Sequence, residues 1–511
     1  MEDAQTAEAR PFTGKTARTL AVMLVVLAVP YASPKLARFQ IVRAPWSPKV
    51  ASGAATLTDA PAPTIGEANV HATENHATIT NALPAKADDV PALDPEVLAK
   101  TAGSLAVEDP TGHALDAFYT HLAKTAACRE NQADPSCAEA QTRILHYGDS
   151  VITSDFVSGT MRRLMQKKFG DAGHGFILTA NPWEWYFHND VRHSASDGWN
   201  MNRITGPLSG DGMYGLGGVS FHTSEAATAW FATADKGDYG TKASRFDIYY
   251  LEQPSGGGVY AITPGKPAEI FETRGPKKVS RVHSVHVADG AAELTIKTTG
   301  SGDVRIFGVA IERDVPGVVY DALGANGARA RLWWAMTADH WKEQMDLRKP
   351  ALVVLQYGTN ESEDGSVDDV KFAQQFGDLI DKVKLAAPGA SVLVASPLDR
   401  AEKAENGDLQ TRKIIVKLVE LERKAALDHG VAFWNTYEAM GGKGTMARWV
   451  RSDPQLASWD LTHPTPAGAE VVGTLFFKAL TTGYDAYESR KQKTAPPPAP
   501  APAPAPAPAG R

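Results

Sequence analysis

Residues 144–169 read ILHYGDSVITSDFVSGTMRRLMQKKF and carry the clearest fold signal of the chain. This stretch opens with a short apolar run that stops at Gly148-Asp149-Ser150, and apolar residues recur three to four positions apart between 157 and 169. The first pattern predicts a buried strand that ends in a tight turn, and the second predicts an amphipathic helix. Strand, turn and helix in this order form the repeating unit of a parallel α/β fold.

The same rhythm resumes near position 318 and runs almost to the end of the chain. Further apolar strands are predicted at 318–321, 351–356, 391–395 and 431–434, followed by helices at 328–345, 370–385, 409–429 and 467–480. Strands with few polar residues that alternate with helices predict a parallel sheet covered on both faces. We therefore expect a flavodoxin-like three-layer α/β/α sandwich, with functional groups beyond the carboxyl ends of its strands.

The segment 176–315 breaks this rhythm. It is rich in glycine and aromatic residues, and it contains short alternating runs separated by turn residues. This pattern predicts an antiparallel β-sandwich. The second domain is thus inserted between the first and second strands of the α/β sandwich, whose two parts are 96–175 and 316–487.

The composition excludes several classes of protein. The 511 residues are 43% hydrophobic and 22% charged, which excludes collagen, a wholly disordered chain and a polytopic membrane protein. Acidic and basic residues nearly balance, 59 against 52, so we expect no nucleic-acid partner. Two cysteines are too few for a disulfide scaffold or a Cys-rich zinc site. We also expect no cofactor. Cys128 and Cys137 either form a small disulfide clip in an oxidising compartment or remain two thiols.

Both ends of the chain are predicted to lie outside the folded part. Residues 1–35 contain the apolar run Leu20–Val29 behind basic residues, which is typical of a signal peptide or an uncleaved membrane anchor. A buried helix of a cytosolic domain is the alternative. Residues 36–95 form an Ala/Pro/Thr-rich tether, and residues 488–511 form a Pro/Ala-rich tail. We expect export to the periplasm or cell surface, where the N-terminal segment either has been cleaved or anchors the protein to the membrane. The sequence leaves the oligomeric state open.

Two distant segments hold the groups that serine catalysis needs. Ser150 follows the first strand at the turn into a helix, which presents its hydroxyl at the sheet edge. A serine hydroxyl needs an imidazole to remove its proton, and the imidazole needs a carboxylate that fixes its tautomer. Asp460 and His463 supply both groups from the loop before the last helix. The pattern predicts a Ser150, His463 and Asp460 triad, although each motif alone also fits an ordinary turn or a solvated pair.

A third segment supplies hydrogen-bond donors. Asn360 lies in the turn 357–361, directly after a predicted strand. Its amide, the Ser150 N–H and a glycine N–H of the turn 324–327 would together hold the oxyanion of a tetrahedral intermediate. The sequence contains no Gly-x-Ser-x-Gly elbow, no His-Glu-x-x-His helix and no Gly-Lys-Ser/Thr phosphate loop, and we predict no metal site.

Together these motifs resemble, in matching order, the four blocks of the SGNH (GDSL-type) hydrolase family. The blocks are Gly148-Asp149-Ser150, Gly327, Gly358-x-Asn360 and Asp460-x-x-His463. The resemblance covers about 140–175 and 316–482, and it implies a serine hydrolase of carboxylic esters in which Gly327 and Asn360 complete the oxyanion hole. The inserted β-domain and the stretch 441–446 further resemble the peptidoglycan O-acetylesterase branch, whose insertion is carbohydrate-binding-like.

Aromatic residues near the predicted site favour contact with a glycan. Trp183 and Trp185 follow the first helix, and His174 lies in a glycine-rich loop that we expect to border the cleft. The tryptophans either stack on sugar rings or pack between the domains. The sequence thus predicts an exported esterase that removes acetyl or other small acyl groups from an envelope polysaccharide or peptidoglycan. The alternatives are a polysaccharide O-acyltransferase with the same serine and a non-catalytic glycan-binding surface protein.

Overall fold

The computed structural model describes residues 106–131, 134–137 and 140–494. The predicted signal or anchor and the tether lie outside the described residues, as does the tail from position 495 onward. Within the described ranges, no helix combines the length and the hydrophobicity of a membrane-spanning segment.

Strands and helices alternate in the first and last parts of the described chain. The strands are β1 (Gln141–Gly148), β2 (Gly175–Leu178), β3 (Val191–Ala195), β4 (Asn200–Arg203), β5 (Val219–Thr223), β6 (Thr228–Thr233), β7 (Ala243–Glu252), β8 (Gly258–Ile262), β9 (Glu269–Glu272), β10 (Val279–Gly290), β11 (Glu293–Thr298), β12 (Val304–Glu312), β13 (Gly317–Gly324), β14 (Leu352–Gln356), β15 (Ser391–Ala395), β16 (Ala401–Lys403), β17 (Leu409–Thr411) and β18 (Ala432–Trp434). The α-helices are α1 (Asp116–Glu130), α2 (Ser150–Thr153), α3 (Phe156–Phe169), α4 (Ala338–Arg348), α5 (Asp369–Ala386), α6 (Lys413–Asp428), α7 (Thr436–Ala439), α8 (Thr445–Trp449) and α9 (Pro466–Thr494).

Five parallel strands form the central sheet, in the order β13-β1-β14-β15-β18. Ile144 and Leu145 are both fully buried but belong to two different hydrophobic cores, because successive side chains of a strand point to opposite faces of the sheet. Helices α1, α3 and α9 pack on the face that carries Ile144, and helices α4, α5 and α6 pack on the face that carries Leu145. The prediction of a flavodoxin-like three-layer sandwich is confirmed.

The segment between β2 and β12 forms two antiparallel sheets. One has the order β10-β7-β12-β5-β4, with β2 added along β12, and the other has the order β3-β6-β11-β8-β9. Buried residues of both sheets, such as Phe221 and Phe231, share one core, so the sheets pack face to face. The chain leaves the parallel sheet after β1 and returns to it at β13, so this sandwich is inserted between two adjacent parallel strands.

Buried ion pairs join the inserted domain to the parallel sheet. Glu312, at the end of β12, is fully buried and pairs with Arg143, Arg245 and Arg348. Arg348 also pairs with the buried Asp321 through Nε at 2.6 Å. Burial alone would raise the pKa of Glu312, but the three guanidinium groups outweigh it and hold that pKa well below its usual range. The cluster is therefore a charged contact between the domains that remains ionised near neutral pH.

Three predicted helices differ from the structure. The helix predicted at 328–345 is a 3-10 helix, Ala330–Ala335, followed by α4. The break occurs where Met336 is extended and the Thr337 N–H donates to the Gly212 carbonyl of the inserted domain. The helix predicted from 409 begins only at Lys413, because residues before it pair as β17 with β16. The last helix, predicted at 467–480, begins at Pro466 and runs on to Thr494.

Cys128 and Cys137 form a disulfide with Cα atoms 5.4 Å apart. The bond connects the last turn of α1 to the segment that leads into β1. Of the two alternatives left by the sequence, the structure therefore has the disulfide clip.

Candidate active site

The parallel strands end in register at one edge of the sheet. Gly148 at the end of β1 lies opposite Gly324 of β13 on one side and Gln356 of β14 on the other. Ser150, Gly327 and Asn360 each follow one of these strand ends within a few residues. The shared register is the reason why residues so far apart in the sequence meet in space.

The turn after β1 holds Ser150 at the start of α2. The Asp149 carboxylate accepts a hydrogen bond from the Val151 N–H at 3.1 Å and so caps this short helix. Gly324 permits the close approach of the neighbouring strand, since a Cβ there would lie 2.1 Å from the Thr153 nitrogen. The turn that carries Ser150 therefore packs directly against the backbone of β13.

Ser150, His463 and Asp460 form one line of hydrogen bonds. Ser150 Oγ lies 2.7 Å from His463 Nε2, and His463 Nδ1 lies 2.6 Å from Asp460 Oδ2. The other carboxylate oxygen of Asp460 accepts the backbone N–H groups of Thr462 and His463, each at 2.9 Å. An ionised carboxylate only accepts hydrogen bonds, so Nδ1 carries the imidazole proton and Nε2 is free to accept from Ser150.

The charges of this line favour a base at position 463. Burial would raise the pKa of Asp460, but the hydrogen bonds from His463 and Thr462 outweigh it and lower that pKa to about 2. Burial would also lower the pKa of His463, yet the hydrogen bond to Asp460 and its charge raise it above the ordinary value. The geometry and these shifts are those of a general base oriented by a carboxylate.

A pH profile tests this assignment. We expect kcat/KM for 4-nitrophenyl acetate to fall on the acid side as His463 becomes protonated, because the imidazolium cannot accept the Ser150 proton. Since the pKa of His463 is raised above 6.5, the midpoint of the acid limb should lie above pH 6.5. The profile would be measured from about pH 5 to 9, with a Ser150→Ala blank for spontaneous hydrolysis. A midpoint below 6.5 would contradict the raised pKa.

Gly327 and Asn360 lie on two turns that contact each other beside the end of β1. The Asn360 Nδ2 donates to the Ala328 carbonyl at 2.9 Å, and the Ala325 N–H donates to the Gly148 carbonyl at 3.0 Å. Gly327 has φ +74°, a left-handed conformation that favours glycine, and the space beside it is open. An amide nitrogen has two N–H groups, and within the described residues the second one of Asn360 has no acceptor. The arrangement can therefore present donors to an oxyanion.

A buried carboxylate fastens the two donor turns to each other. Glu361 accepts the Ala330 N–H at 2.8 Å and the Gly358 N–H at 3.1 Å. Burial, with the nearby charge of Asp149, outweighs these hydrogen bonds and raises the pKa of Glu361 to about 7. Glycine is required at 358, where φ is +105° and a Cβ would lie 2.9 Å from an oxygen of the buried Glu422. No role for Glu361 could be predicted from the sequence, because its two hydrogen-bond donors come from separate turns.

The predicted substrate contacts separate into two groups. Trp185 is 60% exposed, and its loop is held against α2 by a hydrogen bond from the Phe187 N–H to the Thr153 carbonyl at 3.1 Å. Trp183 is partly buried and packs against the core. The expectation that His174 borders an open cleft is not met, since its side chain is only 2% exposed and its Nε2 lies 2.9 Å from His188 Nδ1.

His174 belongs instead to a buried polar cluster. Possible ligand atoms of Asp155, His174 and His188 lie within 4.8 Å of one another, as metal ligands would. However, both carboxylate oxygens of Asp155 already accept from the Arg162 guanidinium, at 2.7 and 3.0 Å. A buried guanidinium repels a cation, so these residues fit an internal ion pair better than a metal site.

The Arg400 side chain was not singled out from the sequence. It follows β15 at the same sheet edge, and it donates hydrogen bonds to the Thr462 hydroxyl at 3.0 Å and the Thr359 carbonyl at 3.0 Å. The signal available in the sequence was its position after a predicted parallel strand, where functional groups collect.

Comparisons with known proteins agree with this architecture. Residues 289–471 match the model of the GDSL-like Lipase/Acylhydrolase family. That range includes Gly327, Asn360, Asp460 and His463, whereas Ser150 precedes it because the inserted domain separates the first block from the rest. No curated protein matches the chain by sequence.

Solved structures also resemble the chain. One described as "Peptidoglycan O-acetylesterase in action, 5 min" is 22% identical, covers 74% of this chain and 99% of its own, and superposes with a TM-score of 0.61. A family two carbohydrate esterase from Clostridium thermocellum in complex with cellohexaose is 11% identical, covers 56% of this chain and all of its own, and has a TM-score of only 0.26. The first likeness supports the fold, and the second is too distant to carry an argument. The fold and the matched range 289–471 therefore agree with the resemblance to GDSL-type hydrolases, a family of carboxylic ester hydrolases, that the four sequence motifs indicate.

Proposed function

We propose that the protein is an exported serine esterase that removes acetyl groups from an envelope polysaccharide, with O-acetylated peptidoglycan as the first substrate to test. The observation that carries the proposal is the hydrogen-bond line from Ser150 through His463 to Asp460 at an accessible edge of the sheet. The side chains of His463 and Asp460 are 39% and 47% exposed, so a large ester and water can both reach them.

The reaction follows from this geometry in two halves. His463 Nε2 takes the Ser150 proton while Oγ attacks the acetyl carbonyl carbon, and the Ser150 N–H, the Gly327 N–H and the Asn360 amide hold the oxyanion. The intermediate collapses, and the sugar oxygen leaves with the proton from His463. Water then attacks the acetyl-serine and gives one proton to His463, Ser150 takes that proton back, and acetic acid leaves and ionises to acetate in solution.

Two further observations support the substrate class and the compartment. The solved structure of similar fold at 22% identity is described as a peptidoglycan O-acetylesterase. The Cys128–Cys137 disulfide is typical of proteins outside the reducing cytoplasm. Export through the segment 1–35 remains part of the proposal, and fractionation of cells that express the full chain would test it.

Acetate release decides between hydrolysis and its alternatives. The purified protein would be incubated with O-acetylated peptidoglycan, and separately with acetylated xylan, with and without a chito-oligosaccharide acceptor. We expect free acetate from peptidoglycan whether or not the acceptor is present, because the site is open to water. Acetylated oligosaccharide in place of acetate would identify an acyltransferase, and binding to peptidoglycan without acetate release would identify a glycan-binding protein.

Trp185 offers a test of glycan contact that leaves the chemistry intact. We expect Trp185→Ala to raise KM for O-acetylated peptidoglycan by about 3- to 10-fold, because the exposed indole face can stack on a sugar ring. Turnover of 4-nitrophenyl acetate, which lacks a sugar, should stay within about twofold of wild type. Trp185→Phe keeps an aromatic face and should behave like the wild type. An unchanged KM in Trp185→Ala would remove this residue from the substrate site.

A further inference from the structure

Three loops from different parts of the chain meet at Arg400 beside the site. The loop 457–464 holds Asp460 and His463, the turn after β14 holds Asn360, and the segment after β15 holds Arg400. Arg400 contacts the other two loops through its guanidinium group. The Arg400 side chain is only 15% exposed.

The contacts of Arg400 bridge the base to the oxyanion donors. Its Nε donates to Thr462 Oγ1 at 3.0 Å, one residue before His463. Its Nη1 donates to the Thr359 carbonyl at 3.0 Å, one residue before Asn360, and to Ser362 Oγ at 2.9 Å. These bonds occupy the Nε–H and both Nη1–H groups, so this edge of the guanidinium is committed to the protein.

We propose that Arg400 is a positioning residue that holds two segments at the separation that ester cleavage requires. One is the loop 457–464 with His463, here called the base loop, and the other is the turn 357–361 with Asn360, here called the oxyanion turn. The inference rests on the proposed function, since it assigns Arg400 to the alignment of that same site. Reacting groups must be held to within a fraction of an ångström, and a misplacement of about 1 Å can cost about 100-fold in rate. A planar group with donors on two edges is suited to hold two loops at once.

The base loop has backbone hydrogen bonds that do not involve the Arg400 side chain. The Ser458 N–H donates to the His463 carbonyl at 2.8 Å, and the Ala401 N–H donates to the Leu461 carbonyl at 2.9 Å. Backbone bonds of this kind survive a side-chain substitution. Loss of Arg400 should therefore loosen the relation between the two loops and leave each loop formed.

Arg400 also contributes charge at the base. The charged groups that act on His463 are the carboxylates of Asp460 and Asp149, which raise its pKa, and the Arg400 guanidinium, which lowers it. Without this guanidinium the His463 pKa should rise, and the acid limb of the pH profile should move to higher pH. An arginine that only stabilised the fold would not move that limb.

Two substitutions separate alignment from charge. Arg400→Gln removes both, and we expect kcat for 4-nitrophenyl acetate to fall about 10- to 100-fold with little change in KM, together with an acid limb shifted to higher pH. Arg400→Lys keeps the charge but cannot reach both loops, so kcat should fall while the acid limb stays in place. Arg412→Gln is the matched control, because Arg412 directly follows β17, its N–H donates to the Arg400 carbonyl at 2.8 Å, and its side chain pairs with Glu402 at 3.3 Å; it should retain wild-type kinetics.

A second measurement keeps this inference separate from the proposed function. The His463 ring would be titrated by NMR in the wild type and in Arg400→Gln, which reports its pKa whether or not the ester is cleaved. An active wild type with unchanged kcat and an unmoved limb in Arg400→Gln would overturn the role of Arg400. An inactive wild type would overturn the proposed function, but the NMR titration would still test the role of Arg400. A higher His463 pKa in Arg400→Gln would support the coupling of Arg400 to His463. An unchanged His463 pKa would overturn that coupling.

Discussion

Ser150→Ala is expected to lower kcat for ester hydrolysis by about 10⁴-fold or more. The substitution removes the only atom that is hydrogen-bonded to His463 Nε2 at 2.7 Å among the described side chains, and with it the acyl-enzyme route. The oxyanion donors remain, because they are backbone groups and the Asn360 amide, so a small residual rate is expected. The rate would be measured with 4-nitrophenyl acetate and with O-acetylated peptidoglycan.

The control for this substitution is the serine one turn later. Ser154 lies at the end of α2, where its hydroxyl donates to the Val151 carbonyl at 3.1 Å. We expect kcat of Ser154→Ala to stay within about threefold of wild type, because the variant loses only one hydrogen bond to a backbone carbonyl. A folded Ser150→Ala variant with wild-type turnover would show that another group is the nucleophile.

Arg348→Met is expected to lower the free energy of unfolding by about 3–5 kcal/mol. Arg348 is almost fully buried and is shared by Glu312 of the inserted domain and Asp321 of the parallel sheet. Methionine fills similar space but leaves these two carboxylates without that cation, and an uncompensated buried charge is costly. Glu312 would retain Arg143 and Arg245, so most of the loss should come from Asp321. Urea denaturation would measure the difference.

Lys342→Met on the same helix provides the comparison. Lys342 pairs with Asp346 at 2.7 Å, but both side chains are at least half exposed. Exposed pairs of this kind contribute little, so the change should be below about 1 kcal/mol. Equal stability of the two variants would mean that the buried cluster does not hold the domains together.

The motifs at strand ends could be predicted from the sequence because their placement depends on local patterns. An apolar run followed by a turn identifies the carboxyl end of a strand, and parallel strands bring such ends to one edge. Ser150 and Asn360 could therefore be placed at this edge without knowledge of any contact between them, whereas Asp460 and His463 were predicted from their spacing in the loop before the last helix. The strand register that makes Gly148 face Gly324 and Gln356 completes this reasoning.

Features that depend on distant partners could not be predicted in this way. The helix expected at 328–345 breaks because Gly212, from the inserted domain, accepts a hydrogen bond from the Thr337 N–H. His174 sits in a glycine-rich stretch that is typical of a surface loop, yet its side chain is buried against His188. The contacts of Arg400 likewise join three loops whose separation in the sequence gives no sign of their proximity.

The position of the acyl group during turnover shows directly whether Ser150 is the nucleophile. The enzyme would be mixed with 4-nitrophenyl acetate, quenched in acid, digested and mapped by mass spectrometry. We expect the mass of one acetyl group on the peptide that contains Ser150, and its absence when His463 is replaced by alanine. Rapid turnover with an unmodified Ser150, or with the acetyl group on a different residue, would contradict the assignment of Ser150 as the nucleophile.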